Sequence, residues 1–178
     1  MPLSLRLGLA AFLIIPSLPA WAMDILPGLW EITPRGVQLS GQTLPDLGAV
    51  LSQLENLPPE QRQKMLDTLS QRGVQLAGRG VRVCLSEEQV RRQDLPMYDA
   101  QNGCTQTYTE RSEQLWTFSF QCPDVAGQGE TRLLSEREFI TTLDSQFKAG
   151  AMLPDSGRLE THARWISSDC GTLKPSMR

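Results

Sequence analysis

Between Leu115 and Cys122 the chain reads LWTFSFQC, with Trp116, Phe118, Phe120 and Cys122 on one parity and Thr117, Ser119 and Gln121 on the other. Side chains alternate across a strand, so this pattern predicts a strand with one buried and one wet face. The same period of two recurs elsewhere. Trp30 and Ile32 alternate with Glu31 and Thr33, between the turn signals Pro27-Gly28 and Pro34-Arg35-Gly36. Val81 and Val83 alternate with Arg82 and Cys84, and Gly78 and Gly80 just before them suggest a bulge or bend in this strand. Thr105–Thr109 makes a hairpin with the Leu115–Cys122 strand across a turn at Arg111-Ser112-Glu113. Strands are also expected at Gly129–Leu134, at Glu138–Phe147, and at Leu159–Trp165, with a break or bulge near Ser167-Ser168.

Two stretches carry the helical period instead. Leu47, Val50, Leu51, Leu54 and Leu57 form one apolar stripe behind a candidate N-cap at Asp46. Pro58-Pro59 ends it and starts a second helix, with Met65, Leu66 and Leu69 on its apolar face and Gly73 at the C′ position. Ser86-Glu87-Glu88-Gln89 is a capping box opening a short third helix, with Arg91 and Arg92 at its negative end. The fold class this implies is mainly β (α+β). A curved antiparallel sheet or partial barrel of about seven strands carries an inserted helical hairpin.

The first residues follow neither pattern. Arg6 precedes the apolar run LGLAAFLII from Leu7 to Ile15, Pro16 breaks it, and Ala20-Trp21-Ala22 makes a small-residue cleavage site. This is the layout of a secretory signal peptide over residues 1–22, cut between Ala22 and Met23. A membrane-spanning helix needs about 20 apolar residues, and the run is much shorter. Residues 23–178 are then expected to form a single disulfide-linked domain with no transmembrane span, periplasmic or secreted. A short frayed tail is expected from Gly171 to Arg178.

Charge narrows the partners. The 178 residues include 17 basic and 20 acidic ones, a formal net charge of −3 that loss of Arg6 with the leader makes more negative. Such a chain lacks the basic field that nucleic acid or an anionic membrane surface calls for. The four cysteines, Cys84, Cys104, Cys122 and Cys170, contain no C-x-x-C pair, and His162 is the one histidine. In an exported chain an even count reads as two disulfides. Three pairings are open, and the strand layout favours Cys84–Cys104 and Cys122–Cys170. Cys84 ends one strand where Cys104 begins the next, and Cys122 and Cys170 each end strands of their own. Closed loops of about 20 and about 50 residues would contribute roughly 3 and 4 kcal/mol.

The ordered set of segments resembles a bacterial exported family known as domain of unknown function 3617. The segments are Pro27-Gly28-Leu29-Trp30-Glu31, Leu57-Pro58-Pro59-Glu60, Val81-Arg82-Val83-Cys84-Leu85-Ser86, the strand from Trp116 to Cys122, Gly127-Gln128-Gly129-Glu130, Arg164-Trp165-Ile166 and Asp169-Cys170. The resemblance spans nearly all of the chain after the leader. It implies an envelope or secreted location and a disulfide-linked, mainly antiparallel fold, and it carries no activity.

The chemistry for an enzyme is not legible. Gly127-Gln128-Gly129 looks like half of a phosphate loop, but no lysine follows, and a tight turn or sheet bend explains it better. His162 shares its strand face with Glu160 and Arg164, which reads as solvated. A set made of His162, Asp169 and Ser167 or Ser168 lacks a nucleophile elbow. No catalytic residue, metal site or cofactor is assigned. Trp30, Trp116, Phe118 and Phe120 are the residues of interest: they line either an apolar ligand cavity or a solid core. The leading expectation is a non-enzymatic periplasmic binding protein for an apolar small molecule or another envelope protein. The alternatives are a hydrolase acting on envelope polymer and a structural or stress-related accessory with no site.

Overall fold

The computed structural model describes residues 25–43, 56–71, 73–78, 80–92, 103–148 and 155–175. Within them, β1 (Gly28–Leu39) and the two-residue β2 (Gln42–Thr43) are followed by α1 (Pro59–Gln71). Next come β3 (Val74–Ala77), β4 (Gly80–Leu85) and α2 (Glu87–Arg91). The chain then runs through β5 (Thr105–Arg111), β6 (Leu115–Gln121), β7 (Val125–Ser135), β8 (Glu138–Phe147) and β9 (Ser156–Ser167).

All strands join one antiparallel sheet in the order β3-β4-β1-β9-β8-β7-β6-β5, with β2 attached to β1. Strands β5 to β9 form a meander in which each strand pairs with the next. The last strand then lies beside the first, and β4 takes the other side of β1. The end strands β3 and β5 do not pair, so the sheet is an open, incomplete barrel. The mainly antiparallel, partial-barrel architecture expected from the period-two pattern is therefore correct.

One face of the sheet is the core. Trp30, Val83, Leu85, Trp116, Leu133, Phe139 and Ala163 form a single buried cluster running from β4 to β6, joined by Ile25 ahead of β1. The Trp30 ring is tilted against Phe139 with centroids 5.0 Å apart. Its indole N–H donates to the carbonyl of Leu26, and that of the partly buried Trp165 donates to the carbonyl of Pro27, so both indole donors are satisfied. Thr131 and Thr141 sit opposite each other deep in this face, and their hydroxyls hydrogen-bond at 2.9 Å.

Several local expectations change. Gly78 does not bend one strand; it opens a tight hairpin turn between β3 and β4, with Ala77 paired to Gly80 and φ of +55° at Gly78. Pro34-Arg35-Gly36 does not end β1. The strand runs through it to Leu39 with a register shift between Pro34 and Gly36 that leaves Arg35 as the extra, bulged residue. Gly127-Gln128-Gly129 is neither loop nor bend but the middle of β7. A Cβ on Gly129 would meet Phe118 at 2.3 Å, and one on Gly127 would meet Phe120 at 2.7 Å, so these glycines form the floor on which two core rings lie. The tail is anchored further than expected. Leu173 is buried and its N–H donates to the Cys170 carbonyl, whereas residues 176–178 lie outside the described part.

The helices divide. The capping box is present: Gln89 N–H donates to the Ser86 hydroxyl at 3.2 Å, and Ser86 N–H donates to the Gln89 side-chain oxygen at 2.9 Å. Helix α1 exists with Met65, Leu66 and Leu69 half-buried, and Gly73 follows it with φ of +74°. The first helix of the expected hairpin and the signal segment fall outside the described residues.

Two disulfides are present, but the favoured pairing is wrong. The bonds are Cys84–Cys170 and Cys104–Cys122. Cys84 and Cys104 are close in sequence, yet β4 and β5 lie toward opposite edges of the sheet. Thr105 pairs with Gln121, so Cys104 and Cys122 are the next residues across the same hairpin.

Candidate functional site: the polar face of the meander

The residues that alternate with the core residues build the opposite face. On β6 these are Thr117 and Ser119, on β7 Gln128, Glu130 and Arg132, on β8 Thr142 and Asp144, and on β9 Arg158 and Glu160. Two open clefts lie over this face, with volumes of about 620 Å³ and about 520 Å³. They share Ser119, Gln128, Asp144 and Arg158, so they form one groove across the strands. The first cleft is rimmed by serine and glutamine side chains, among them Gln38, Ser40, Gln146 and Ser156.

Charges in the groove are mostly matched in place. Arg158 donates from one Nη to both oxygens of Asp144 at 3.0 Å. Arg132 donates to Glu130 at 2.7 Å. The hydroxyls of Thr109 and Thr117 bond each other at 2.8 Å. Glu160 has no ion-pair or hydrogen-bond partner among the described residues. The pairs are half exposed, so each contributes at most about 1 kcal/mol to folding. They act as fixed donors and acceptors on the wet floor of the groove. This face offers hydrogen bonding to a polar ligand and no activated nucleophile.

At the upper end of the same face stands a second cluster. His162 lies next along β9 from Glu160, as the alternation predicts, but it is not solvated: only 8% of it is exposed. Its Nδ1 is 2.7 Å from Arg35 Nη2, and its Nε2 is 2.5 Å from Glu138 Oε1. A guanidinium has only donors, so Nδ1 must accept and the proton of the neutral ring sits on Nε2, donated to Glu138. Both ring nitrogens are thereby occupied. The local set of Ser167, His162 and Asp169 is not assembled, and the Ser167 hydroxyl donates instead to the Asp169 backbone carbonyl at 2.6 Å.

The four aromatic residues singled out from the sequence are core. Trp30, Trp116, Phe118 and Phe120 are all at least nine-tenths buried. Of the four, Phe118 alone borders either cleft. The groove itself was legible only as the polar complement of the strands. The contact of Arg35 with His162 joins residues 127 positions apart and left no local signal.

Fold and face together define an open antiparallel sheet, disulfide-fastened, with a packed aromatic side and a polar grooved side. The chain belongs to the family described as protein of unknown function DUF3617, whose model matches residues 25–170. It is also 44% identical over 137 residues to an uncharacterized protein in the lpd-3 5' region of Pseudomonas putida, a match covering 76% of this chain and 96% of that one. No solved structure matches it. Three of the segments that carry the family resemblance lie side by side: those around Trp30, Val83 and Trp165. Trp30 pairs with Val83 on one side and with Trp165 on the other, and Glu31 pairs with Arg82 and Arg164. Among the described residues no helix is long and apolar enough to cross a membrane.

Proposed function

We propose that this protein is an exported, non-catalytic binding protein of the bacterial envelope, and that it holds an extended polar segment of a partner protein in the groove over β5–β9. The observation that carries this reading is the continuous groove, floored by hydroxyl, amide and matched ionic side chains from neighbouring strands. An extended polypeptide presents donors and acceptors at strand spacing, which suits such a floor. The packing of Trp30 and Trp116 favours this partner over an apolar small molecule, because the aromatic side is filled by the protein's own core. Two disulfides and the leader-like first residues support export, where such bonds persist. The matching of Glu130 and Asp144 by arginines favours binding over hydrolysis, which calls for a carboxyl free to exchange protons.

The test is site-specific photocrosslinking in living cells, with the reactive side chain at Ser119 or Gln128 and a control at Glu87 on α2. The expected result is one discrete protein adduct from the groove positions, absent from the control and lost in Arg158→Glu. Equal labelling from Glu87, or an adduct indifferent to Arg158→Glu, would refute the groove. Native mass spectrometry of the same protein tests the small-molecule reading, which a reproducible bound mass would restore.

A further inference from the structure

We propose that Arg35, His162 and Glu138 form a pH-sensitive latch, which fastens the bulge of β1 to the sheet and lets Arg35 go when His162 takes up a proton. Protonation puts an N–H on Nδ1, pointing at the N–H of Arg35. Two donors and two positive charges then face each other at hydrogen-bond distance, on a ring that is only 8% exposed. On the other side the change is favourable, since the Nε2–H bond to the Glu138 carboxylate becomes an ion pair between two charged groups. His162 therefore stays on Glu138 and Arg35 leaves. Histidine is the side chain whose charge ordinarily changes between about pH 5 and 8, the range an exported protein meets.

The charged groups around the ring come from three strands. Strand β8 supplies Glu138, β9 supplies Glu160 and Arg164 on either side of His162, and β1 supplies Arg35 and Glu31. Thr33 and Ile140, directly opposite His162, are uncharged. Glu31 is held by Arg82 at 3.2 Å, so it does not receive Arg35. Glu160 has no partner among the described residues, stands opposite Gly36 next to Arg35, and lines the groove. It is the carboxylate to which the freed guanidinium moves. The bulge makes the motion easy: Arg35 is its extra residue, and a Cβ on Gly36 would find no atom within 4 Å. Acidification thus carries a cation to the groove's end and neutralises Glu160 there. The effect on binding rests on the groove reading above, whereas the latch itself is tested without any ligand.

The experiment is an NMR titration of the ¹⁵N-labelled full mature protein from pH 8 to pH 5. At pH 8 the His162 ring is expected in the Nε2–H form. As it protonates, the Arg35 side-chain signal shifts and the amides of Thr33, Arg35, Gly36 and Val37 lose about tenfold of their exchange protection, with the same midpoint. His162→Gln keeps an acceptor for Arg35 and a donor for Glu138 but cannot titrate, so it abolishes the coupled change. Arg35→Ala, at an exposed position, leaves the bulge amides as weakly protected at pH 8 as at pH 5. The latch is overturned by an Nδ1–H ring at pH 8, by a ring that stays neutral to pH 5, or by Arg35 and bulge signals that ignore its protonation. Persistence of the coupled change in His162→Gln, or bulge amides in Arg35→Ala that are still protected at pH 8, overturns it equally.

Discussion

Cys84 and Cys170 are joined across the start of β1, although they belong to opposite sides of that strand. Cys84 lies on β4 opposite Leu29, whose partner on the far side is Ser167 of β9. Between Ser167 and Cys170 the chain therefore crosses over the beginning of β1 to reach β4, with the two cysteine Cα atoms 5.7 Å apart. Gly28 makes the crossing possible. A Cβ there would lie 2.2 Å from the Ser167 carbonyl oxygen and 2.9 Å from the Ser168 Cα, and its φ of +127° suits glycine alone. Pro27-Gly28-Leu29-Trp30 and Asp169-Cys170 are two halves of this one clasp.

The two disulfides differ in the loop they close. The separations are 86 residues for Cys84–Cys170 and 18 for Cys104–Cys122. In the chain-entropy model they contribute about 4.6 and about 3.2 kcal/mol. Replacing Cys84 and Cys170 together by serine is expected to lower the denaturant midpoint more than replacing Cys104 and Cys122. Equilibrium unfolding of the two double variants decides it, and an equal or reversed order would contradict the clasp.

Two glycines should respond oppositely to alanine. In Gly129→Ala the new methyl meets Phe118 at 2.3 Å and Leu143 at 2.7 Å, both packed side chains on the core face. A loss of about 1–3 kcal/mol follows from overpacking. In Gly36→Ala the methyl meets nothing within 4 Å. That variant should match the parent or gain up to about 1 kcal/mol, because the unfolded chain is restricted. Thermal unfolding of both reads the sign directly.

Thr131 and Thr141 form a closed polar pair in the core, both at most 1% exposed. Thr131→Val leaves the Thr141 hydroxyl without its 2.9 Å partner and should cost about 1–3 kcal/mol. Adding Thr141→Val removes the orphaned group and should recover much of that loss. A double-mutant cycle measures the coupling, which is expected to exceed about 0.5 kcal/mol.

The groove can be altered without harming the fold. Asp144 and Arg158 are paired, but their side chains are 46% and 54% exposed, so solvent screens them. Asp144→Ala and Arg158→Ala should each change stability by less than about 1 kcal/mol. The same variants should abolish the crosslinked adduct from Gln128. Loss of the adduct together with loss of fold would make the groove structural instead.

What was legible in the sequence was local. The period of two places Trp116, Phe118 and Phe120 on one face of β6, because successive side chains of a strand point to opposite sides. The capping box at Ser86 was readable for the same reason, since all its partners lie within three residues. Bulges were harder. Pro34-Arg35-Gly36 carries every sign of a turn, yet the long ladder between β1 and β9 holds the strand together and expels only Arg35. Gly127-Gln128-Gly129 looked like a bend because its reason for being glycine is two aromatic rings on another strand.

The sequence by itself determined the strand faces, the shared face of Trp116, Phe118 and Phe120, the capped helix and a mainly antiparallel class, all set by relationships over a few residues. Only the tertiary structure decided which cysteines meet, that the aromatic face is packed core, which face is grooved, and that His162 is gripped between Arg35 and Glu138. Those relationships depend on β1 pairing with both β4 and β9, and strand order is a matter of non-local pairing that no short pattern encodes.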